Sequence, residues 1–315
     1  DEESVFAMQV PLYVDACMKE LLSVIKCGST AYLMQQSLFL SPIKAVEFLN
    51  EHRVNTLCWV ASALTIISGL GAFEDIKPQY MRTVCFGSEA FPVKQLQLWQ
   101  SACPGARFIN LYGPTEATGM SFYYVVDRDF SDGEPIPVGR PFDNTGFMLL
   151  REDDTEAAPG ETGEICIRGT ALTHGYFDDP ERTAAAFTQN PLNKHYPELI
   201  YRTGDLGRIN ERGELVFVSR KDHQIKNMGH RVELGEIEAC ADGCEGVVRS
   251  CCMFDKQKGK LLMFYMGAAD EKTLGKYLRS MLPRYMLPSK IKRLDALPLL
   301  ENGKIDRNSL KDMEI

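Results

Sequence analysis

The sequence predicts an α/β protein: a parallel sheet with helices packed on it, then a small antiparallel β-barrel or sheet, then a small α+β unit. Three observations carry this. Over the first 125 residues, apolar runs of strand length alternate with runs of helical period, the pattern of a parallel sheet. From about Pro135 to Arg220, short β-like runs are separated by clusters of Gly, Pro and Asp. Beyond about Asp222, helices and strands mix again and end in a proline-punctuated tail. A chain of 315 residues has room for about two domains at roughly 150 residues each. The expected division is 1–221, with a sheet part at about 1–134 and a β-rich part at 135–221, followed by 222–315.

The elements follow in order. Asp15 is placed to cap a helix whose apolar stripe is Met18, Leu21, Leu22 and Ile25, and Gly28 stops it. Thr30–Met34 reads as a strand. Ser41-Pro42 is an N-cap with proline in the first turn, opening a helix through Leu49. Thr56–Val60 is a strand and Ser62–Leu70 a helix; Val84–Phe86 is a short strand, Pro92 opens a helix through Trp99, and Phe108–Leu111 is a strand. In the β-rich part the runs are Phe147–Leu150, Glu164–Arg168 and Leu215–Ser219. The last part holds a helix near Glu233–Ala241, strands at Val247–Phe254 and Leu261–Met266, and a helix at Lys272–Met281. The chain starts at Asp1, inside what reads as an element already under way, the pattern of a fragment or processed piece.

Composition excludes several classes. Hydrophobic residues make up 44% and charged residues 25%, the mix of a globular protein rather than of a disordered, collagenous or coiled-coil one. A net charge of −8 argues against nucleic acid as partner, because phosphates call for a basic face. Val54 to Phe73 carries no charge over about the length of a spanning helix. Its Asn55, Thr56, Ser62, Thr65, Ser68 and glycines read instead as a buried strand and a short buried helix, so no membrane is expected. Ten cysteines at irregular spacing suit reduced thiols in a cytoplasm rather than a disulfide scaffold. Cys240, Cys244, Cys251 and Cys252 cluster, but without the two-residue spacing of a zinc site. Residues 1–221 carry 19 basic and 29 acidic groups, and 222–315 carry 16 and 14. A mildly basic C-terminal unit facing an acidic larger one suits closure over an anion, although scatter of surface charge explains the split equally well.

Ligands of parallel sheets sit beyond the carboxyl ends of the strands, here Gly87-Ser88-Glu89 and Tyr112-Gly113-Pro114-Thr115-Glu116. In Asn110-Leu-Tyr-Gly-Pro-Thr-Glu116, Gly-Pro forces a loop after a strand and exposes a ring, a hydroxyl and a carboxylate. Tyr201-Arg-Thr-Gly-Asp205 reads as a turn presenting a carboxylate, able to accept two hydrogen bonds from a ribose diol or merely to cap the turn. Asn302-Gly303 is a hairpin signal that puts Lys304 at a tight turn.

Order and spacing then decide. Tyr-Gly-Pro-Thr-Glu, Gly163-Glu-Ile-Cys-Ile-Arg-Gly169, Tyr201-Arg-Thr-Gly-Asp205, Arg220-Lys-Asp-His-Gln-Ile-Lys226 with Gly229-His-Arg-Val-Glu-Leu-Gly-Glu-Ile-Glu238, and Leu297-Pro-Leu-Leu-Glu-Asn-Gly-Lys-Ile-Asp-Arg307 follow one another. This series resembles the adenylate-forming enzymes, and within them the amino-acid adenylation domains of nonribosomal peptide synthetases and the D-alanine–carrier protein ligases. The resemblance implies the C-terminal part of a large adenylation core followed by a small lid domain. It departs from the family in three ways. The family's N-terminal part with its Gly-rich phosphate loop is not found, so the chain alone is expected to be inactive or nearly so. Ser219 stands for a usual glycine. Ala61 replaces a proline and Cys17 a serine.

The resemblance implies ATP, Mg²⁺ and an amino acid as reactants, and a carrier protein bearing phosphopantetheine as partner. By it Lys304 bridges the attacking carboxylate and the α-phosphate, Glu116 holds Mg²⁺, and Thr115 donates to the α-phosphate. Tyr112 stacks on adenine with Gly87, Ser88 and Glu89 lining the base, Asn110 and Gly113 complete the nucleotide edge, and Asp205 takes the ribose hydroxyls with Arg220. The lid turns about Asp222 and brings the Gly229 loop up for thiol transfer. Asp15 pairs with the substrate's α-ammonium, and Ala16, Lys19, Cys58, Val84, Phe86, Leu111, Gly119 and Met120 line the side-chain pocket. Bulky Phe86 implies a shallow pocket and a small neutral amino acid, while Lys19 either meets an acidic side chain or reaches out to water. Two other functions fit the same residues: an acyl- or aryl-CoA synthetase, which leaves Asp15 without a partner, and a non-catalytic nucleotide- or partner-binding chain.

Overall fold

A computed structural model describes every residue except 11, 13, 14, 222, 223, 228, 229, 256–259, 302, 312, 314 and 315. Among the described residues the first sheet has seven strands: β1 (Val5–Met8), β2 (Thr30–Leu33), β3 (Thr56–Val60), β4 (Thr83–Gly87), β5 (Arg107–Tyr112), β6 (Phe122–Val125) and β7 (Arg140–Pro141). Their order is β2-β1-β3-β4-β5-β6-β7, parallel from β2 to β5 and antiparallel from β5 to β7. The intervening helices are α1 (Met18–Cys27), α2 (Pro42–Glu51), α3 (Ala61–Gly69), α4 (Ala72–Asp75) and α5 (Val93–Ala102). Every strand and helix expected in this stretch is present, with ends shifted by at most three residues. The unexpected strands of this sheet are β1, β6 and β7, too short for their alternation to stand out. Asn55 pins β1 from both sides: its Oδ1 accepts from the Val5 amide at 2.9 Å and its Nδ2 donates to the Glu3 carbonyl at 2.9 Å.

The uncharged stretch from Val54 divides into β3 and α3 as expected. α3 is buried on nearly all sides, which is why it is apolar all round. Among the described residues no helix is long and apolar enough to cross a membrane.

The expectations for α1 fail in two respects. Asp15 lies in a 3-10 turn, Asp15–Cys17, and the helix starts after it with Cys17 as its N-cap, so Asp15 caps nothing there. The stripe also faces outward: Met18, Leu22 and Ile25 are 44%, 53% and 70% exposed, and Leu21 alone of the stripe packs against the main core. Ala16, Cys17 and Glu20 are turned inward instead, and a period of 3.6 then carries positions 18, 22 and 25 to the far side. Gly28 does stop the helix, in the left-handed conformation at φ 64°.

The β-rich part forms an antiparallel sheet of β8 (Thr145–Leu150), β9 (Gly163–Gly169), β10 (Phe187–Gln189) and β11 (Leu199–Ile209), ordered β10-β11-β9-β8, with β12 (Leu215–Arg220) also on β11; α6 (Pro180–Ala186) leads into β10. Its core, Leu149, Ile165, Ile167 and Leu215, meets Phe122 of the first sheet. Beyond Arg220 come the hairpin β13 (Gln224–Asn227) and β14 (His230–Glu233), α7 (Leu234–Asp242), β15 (Val247–Asp255), β16 (Lys260–Gly267), α8 (Glu271–Met281), β17 (Lys290–Arg293) and α9 (Arg307–Lys311). The sheet β15-β16-β17 packs Ile237, Met263, Tyr265, Leu274 and Leu278 on one face and Cys251, Phe264, Leu297 and Leu310 on the other. Cys251 and Cys252 therefore point to opposite faces, and among the described residues no three ligating side chains come together.

Candidate active site

The site grows from the carboxyl ends of β4 and β5. After Tyr112 the chain turns so tightly that a Cβ on Gly113 would stand 2.3 Å from the Gly119 carbonyl oxygen. Thr115–Ala117 makes one 3-10 turn, and Thr118 and Gly119 reverse it at φ 56° and 84°. The loop leaves Thr115 exposed and Glu116 half-buried. Glu116 is held by Tyr176, whose hydroxyl donates to Oε1 at 2.6 Å.

Asp205 arrives from β11. The expected turn at Tyr201–Asp205 is instead a bulge inside an eleven-residue strand, where the pairing with β9 slips between Arg202 and Leu206. Gly204 takes φ 70°, and a Cβ there would lie 3.1 Å from the Arg220 guanidinium, so only glycine lets that cation lie flat on the bulge. Its amide donates to Glu164 Oε1 at 2.9 Å, and the buried Glu164 also receives Lys221 at 2.8 Å and Arg202 at 3.3 Å. Asp205 is 7% exposed; Oδ1 accepts from Arg220 at 2.6 Å and Oδ2 from the Tyr112 hydroxyl at 2.6 Å. Burial pushes its carboxyl up, while Arg220, Tyr112 and Lys304 pull it back. Burial, then the Asp205 charge, pushes the Tyr112 phenol well up, so it stays a donor.

Lys304 comes to the same place from the C-terminal end. Leu300 and Gly303 close a turn through Leu300 N–Lys304 O at 2.7 Å and Gly303 N–Leu300 O at 2.8 Å, with Gly303 at φ 81°. The Ser62 hydroxyl donates to the Gly303 carbonyl at 2.7 Å, which seats the turn at the start of α3. The ammonium is near enough to act on Asp205.

Three of the expected nucleotide residues have other partners. Asn110 donates to the Pro137 carbonyl at 2.8 Å. Glu89 accepts from the Ser62 amide at 3.2 Å and from Arg249 at 2.6 Å. Gly87 is buried where β4 and β5 approach so closely that a Cβ would meet the Leu111 carbonyl oxygen at 2.3 Å. Ser88 is exposed at φ 67°.

The pocket expectation needs correction. In parallel strands, paired residues share a face, and Cys58 pairs with Cys85, Trp59 with Phe86, and Gly87 with Leu111. Cys58, Cys85, Ile109 and Leu111 face α1, whereas Val84 and Phe86 pack with Leu57, Trp59 and Phe108 on the opposite face. Val84 and Phe86 therefore share no wall with Cys58 and Leu111, and the argument from Phe86 to a shallow pocket fails. Alternation alone was signal enough to choose Cys85 and Gly87 over their neighbours. The Cys58 and Cys85 thiols lie side by side, and their interaction raises Cys58 and lowers Cys85; Lys19 favours the ionised form of both. Asp15 and Gly119 do come together, with Asp15 Oδ2 3.8 Å from where a Gly119 Cβ would be. Ala16 is buried beside them and Met120 is half-buried. Glu20, Glu164 and Tyr176 were missed, because no sequence spacing ties them to the residues they support. The expected hinge Asp222 and loop residue Gly229 lie outside the described residues.

Residues 1–177 match the family described as AMP-binding enzyme. The delta-poly-L-ornithine synthetase of Acinetobacter baumannii is 32% identical over 306 residues, 94% of this chain and 22% of that protein. The L-proline–[L-prolyl-carrier protein] ligase of Streptomyces coelicolor is 30% identical over 317 residues, 98% of this chain and 58% of that one. A holo four-domain nonribosomal peptide synthetase, bound to AMP and glycine, superposes with a TM-score of 0.86 at 28% identity, over 100% of this chain and 23% of that chain. An anthranilate CoA ligase in complex with anthranoyl-AMP shares the fold, with a TM-score of 0.84 at 17% identity over 98% of this chain and 58% of that one.

Proposed function

Because the chain belongs to the AMP-binding enzyme family, we propose that it carries the adenylating site of an amino-acid-activating ligase, which forms aminoacyl-AMP and passes the acyl group to a carrier-protein thiol. A free carboxylate is a poor acyl donor. When a carboxylate oxygen attacks the α-phosphorus of ATP, the new acyl–phosphate bond forms as the bond to the β-phosphate breaks, and pyrophosphate leaves with the electron pair. The obstacle is bringing one anion onto another, so positive charge must stand where negative charge gathers. Lys304 is the group for that role. Asp205 keeps Arg220 on Oδ1 and exchanges Tyr112 for the ribose hydroxyls on Oδ2, leaving the Tyr112 ring for the adenine.

Glu116 fits Mg²⁺, with Thr115 left exposed to donate to the α-phosphate. Among the described residues no three ligating side chains converge, and a single carboxylate is the donor set of an ion carried mainly by phosphates. Bound there, Mg²⁺ would offset phosphate charge. In the second step a phosphopantetheine thiolate attacks the acyl carbon and AMP leaves.

Asp15 beside Gly119 supports an amino acid, since an acyl acid gives that carboxylate no ammonium partner. Lys19 gives the pocket a cationic end, so acidic side chains stand beside small neutral ones as candidate substrates. The observation that carries the reading is the seating of the Lys304 turn, from one end of the chain, on the start of α3 through Ser62, with the Lys304 charge acting on Asp205. The test is amino-acid-dependent ATP–pyrophosphate exchange by the intact protein over twenty L-amino acids and D-alanine. Exchange with one or a few acids, lost by a factor of 10² or more (about 3–4 kcal/mol) in Lys304→Ala, is expected. No exchange with any amino acid from folded protein overturns the reading.

A further inference from the structure

Away from the nucleotide edge, a second set of contacts fastens the C-terminal unit to the core. Glu89, just past the end of β4, holds the first turn of α3 through the Ser62 amide with Oε2 and takes Arg249 of β15 on Oε1 at 2.6 Å. Both charged side chains are nearly buried, at 12% and 10% exposure. The Ser62 hydroxyl, one bond away, holds the Gly303 carbonyl next to Lys304. There is no slack in that seat: a Cβ on Gly303 would stand 2.9 Å from Val60 and 3.3 Å from the Ser62 hydroxyl. Further along the seam, Lys94 donates to the Gly243 carbonyl at 2.7 Å, and Val248 packs onto Gly69 so closely that a Cβ there would be 2.6 Å away. β15 and the Lys304 turn, far apart in sequence, thus rest on the same helix start.

We propose that Glu89 and Arg249 are positioning residues for adenylation, a paired clasp that seats β15 on α3 and thereby holds the Lys304 turn at the nucleotide edge; this rests on the function proposed above. A buried ion pair gains little net stability, because desolvation offsets its attraction. That makes it suitable for a joint that must open. Unseating returns both charges to water, so opening is cheap when the pair separates whole. Removing one partner is different: it strands the other charge in the seam and disfavours the seated state. Neither residue has a described contact with the nucleotide-facing Tyr112 or Asp205, so loss of the clasp acts on how often Lys304 is in place rather than on ATP binding.

The test uses the intact protein carrying Arg249→Ala, Glu89→Gln, Arg249→Lys, or the exchanged pair Glu89→Arg with Arg249→Glu. Hydrogen exchange without substrate, followed in peptides covering 60–66 and 299–305, is expected to speed up about ten-fold in Arg249→Ala and Glu89→Gln. It should return toward wild type in Arg249→Lys and in the exchanged pair. In pyrophosphate exchange the same single variants should lose about ten-fold or more in kcat with little change in KM for ATP, and Arg249→Lys should recover. The clasp is overturned if Arg249→Ala leaves both peptides and kcat unchanged. It is equally overturned if neither Arg249→Lys nor the exchanged pair improves on it. If the variants show the hydrogen-exchange pattern while the wild type shows no pyrophosphate exchange, the adenylating reading is refuted and the clasp stands as a joint alone.

Discussion

The two faces of the seven-stranded sheet are built on opposite principles. One face carries Leu57, Trp59, Val84, Phe86 and Phe108 against α2, α3 and α5, in a continuous apolar core that closes over Trp99. The other carries Phe6, Cys58, Cys85, Ile109 and Leu111 under α1, which turns a glutamate inward and its apolar stripe outward. Glu20 is 0% exposed, and among the described residues neither of its carboxylate oxygens has a hydrogen-bond partner. The well-packed apolar face holds the strands in register. The other face carries small thiols and a buried carboxyl with the Lys19 charge close by. Rigidity on one side positions chemistry on the other.

The largest effect should come from the packed face. Trp59 is fully buried, donates through Nε1 to the Ala7 carbonyl at 2.6 Å and meets the Phe39 ring edge-on at 5.3 Å. Trp59→Ala is expected to lower unfolding free energy by about 3–5 kcal/mol in denaturant titration. A loss under 1 kcal/mol would break the comparison. On the other face, Glu20→Gln should do the reverse, and only above acid pH. Burial, then Cys58, holds the Glu20 carboxyl well above its ordinary value. A carboxyl with a raised folded pKa keeps its proton more tightly when folded. The wild type therefore loses stability as pH rises from about 4.3 through the folded value, while the amide does not titrate. The variant should match wild type near pH 4 and exceed it by about 1–3 kcal/mol in alkali. Equal pH profiles for the two proteins would mean that Glu20 is not the strained group.

How much of this was readable beforehand depended on range. β3, β4, β5 and the helices between them follow from local alternation and from Pro and Gly punctuation, and they fell where expected. The edge loop from Tyr112 to Glu116, Asp205 and the Lys304 turn were legible because their motifs are short and specific, and the fold brings Tyr112, Asp205, Arg220 and Lys304 together. What failed was the phase of elements whose neighbours are distant. The inward side of α1 is set by packing on the sheet, not by its own apolar count, and the bulge at Gly204 is set by Glu164 on another strand. Glu89 was read with the base-lining glycine and serine beside it, yet Arg249, 160 residues later, occupies its carboxylate.

The smallest effect separates the faces by function rather than by stability. Phe86 packs against Phe91 at 4.8 Å on the apolar face, so Phe86→Leu should cost about 1 kcal/mol of stability or somewhat more and leave KM for the amino acid unchanged. Gly119 faces Asp15. Gly119→Ala would bring a methyl within 3.8 Å of Oδ2 and meet the left-handed φ of 84°. It should raise KM for the amino acid about ten-fold, a little over 1 kcal/mol, with KM for ATP nearly constant, because Tyr112 and Asp205 lie beyond the reach of that methyl. Pyrophosphate exchange at varied amino acid and varied ATP reads both constants from the same preparations. If Phe86→Leu moved the amino-acid KM and Gly119→Ala did not, the pocket would lie on the face assigned here to the core, and the pairing of Cys58 with Cys85 would be the wrong guide to the substrate.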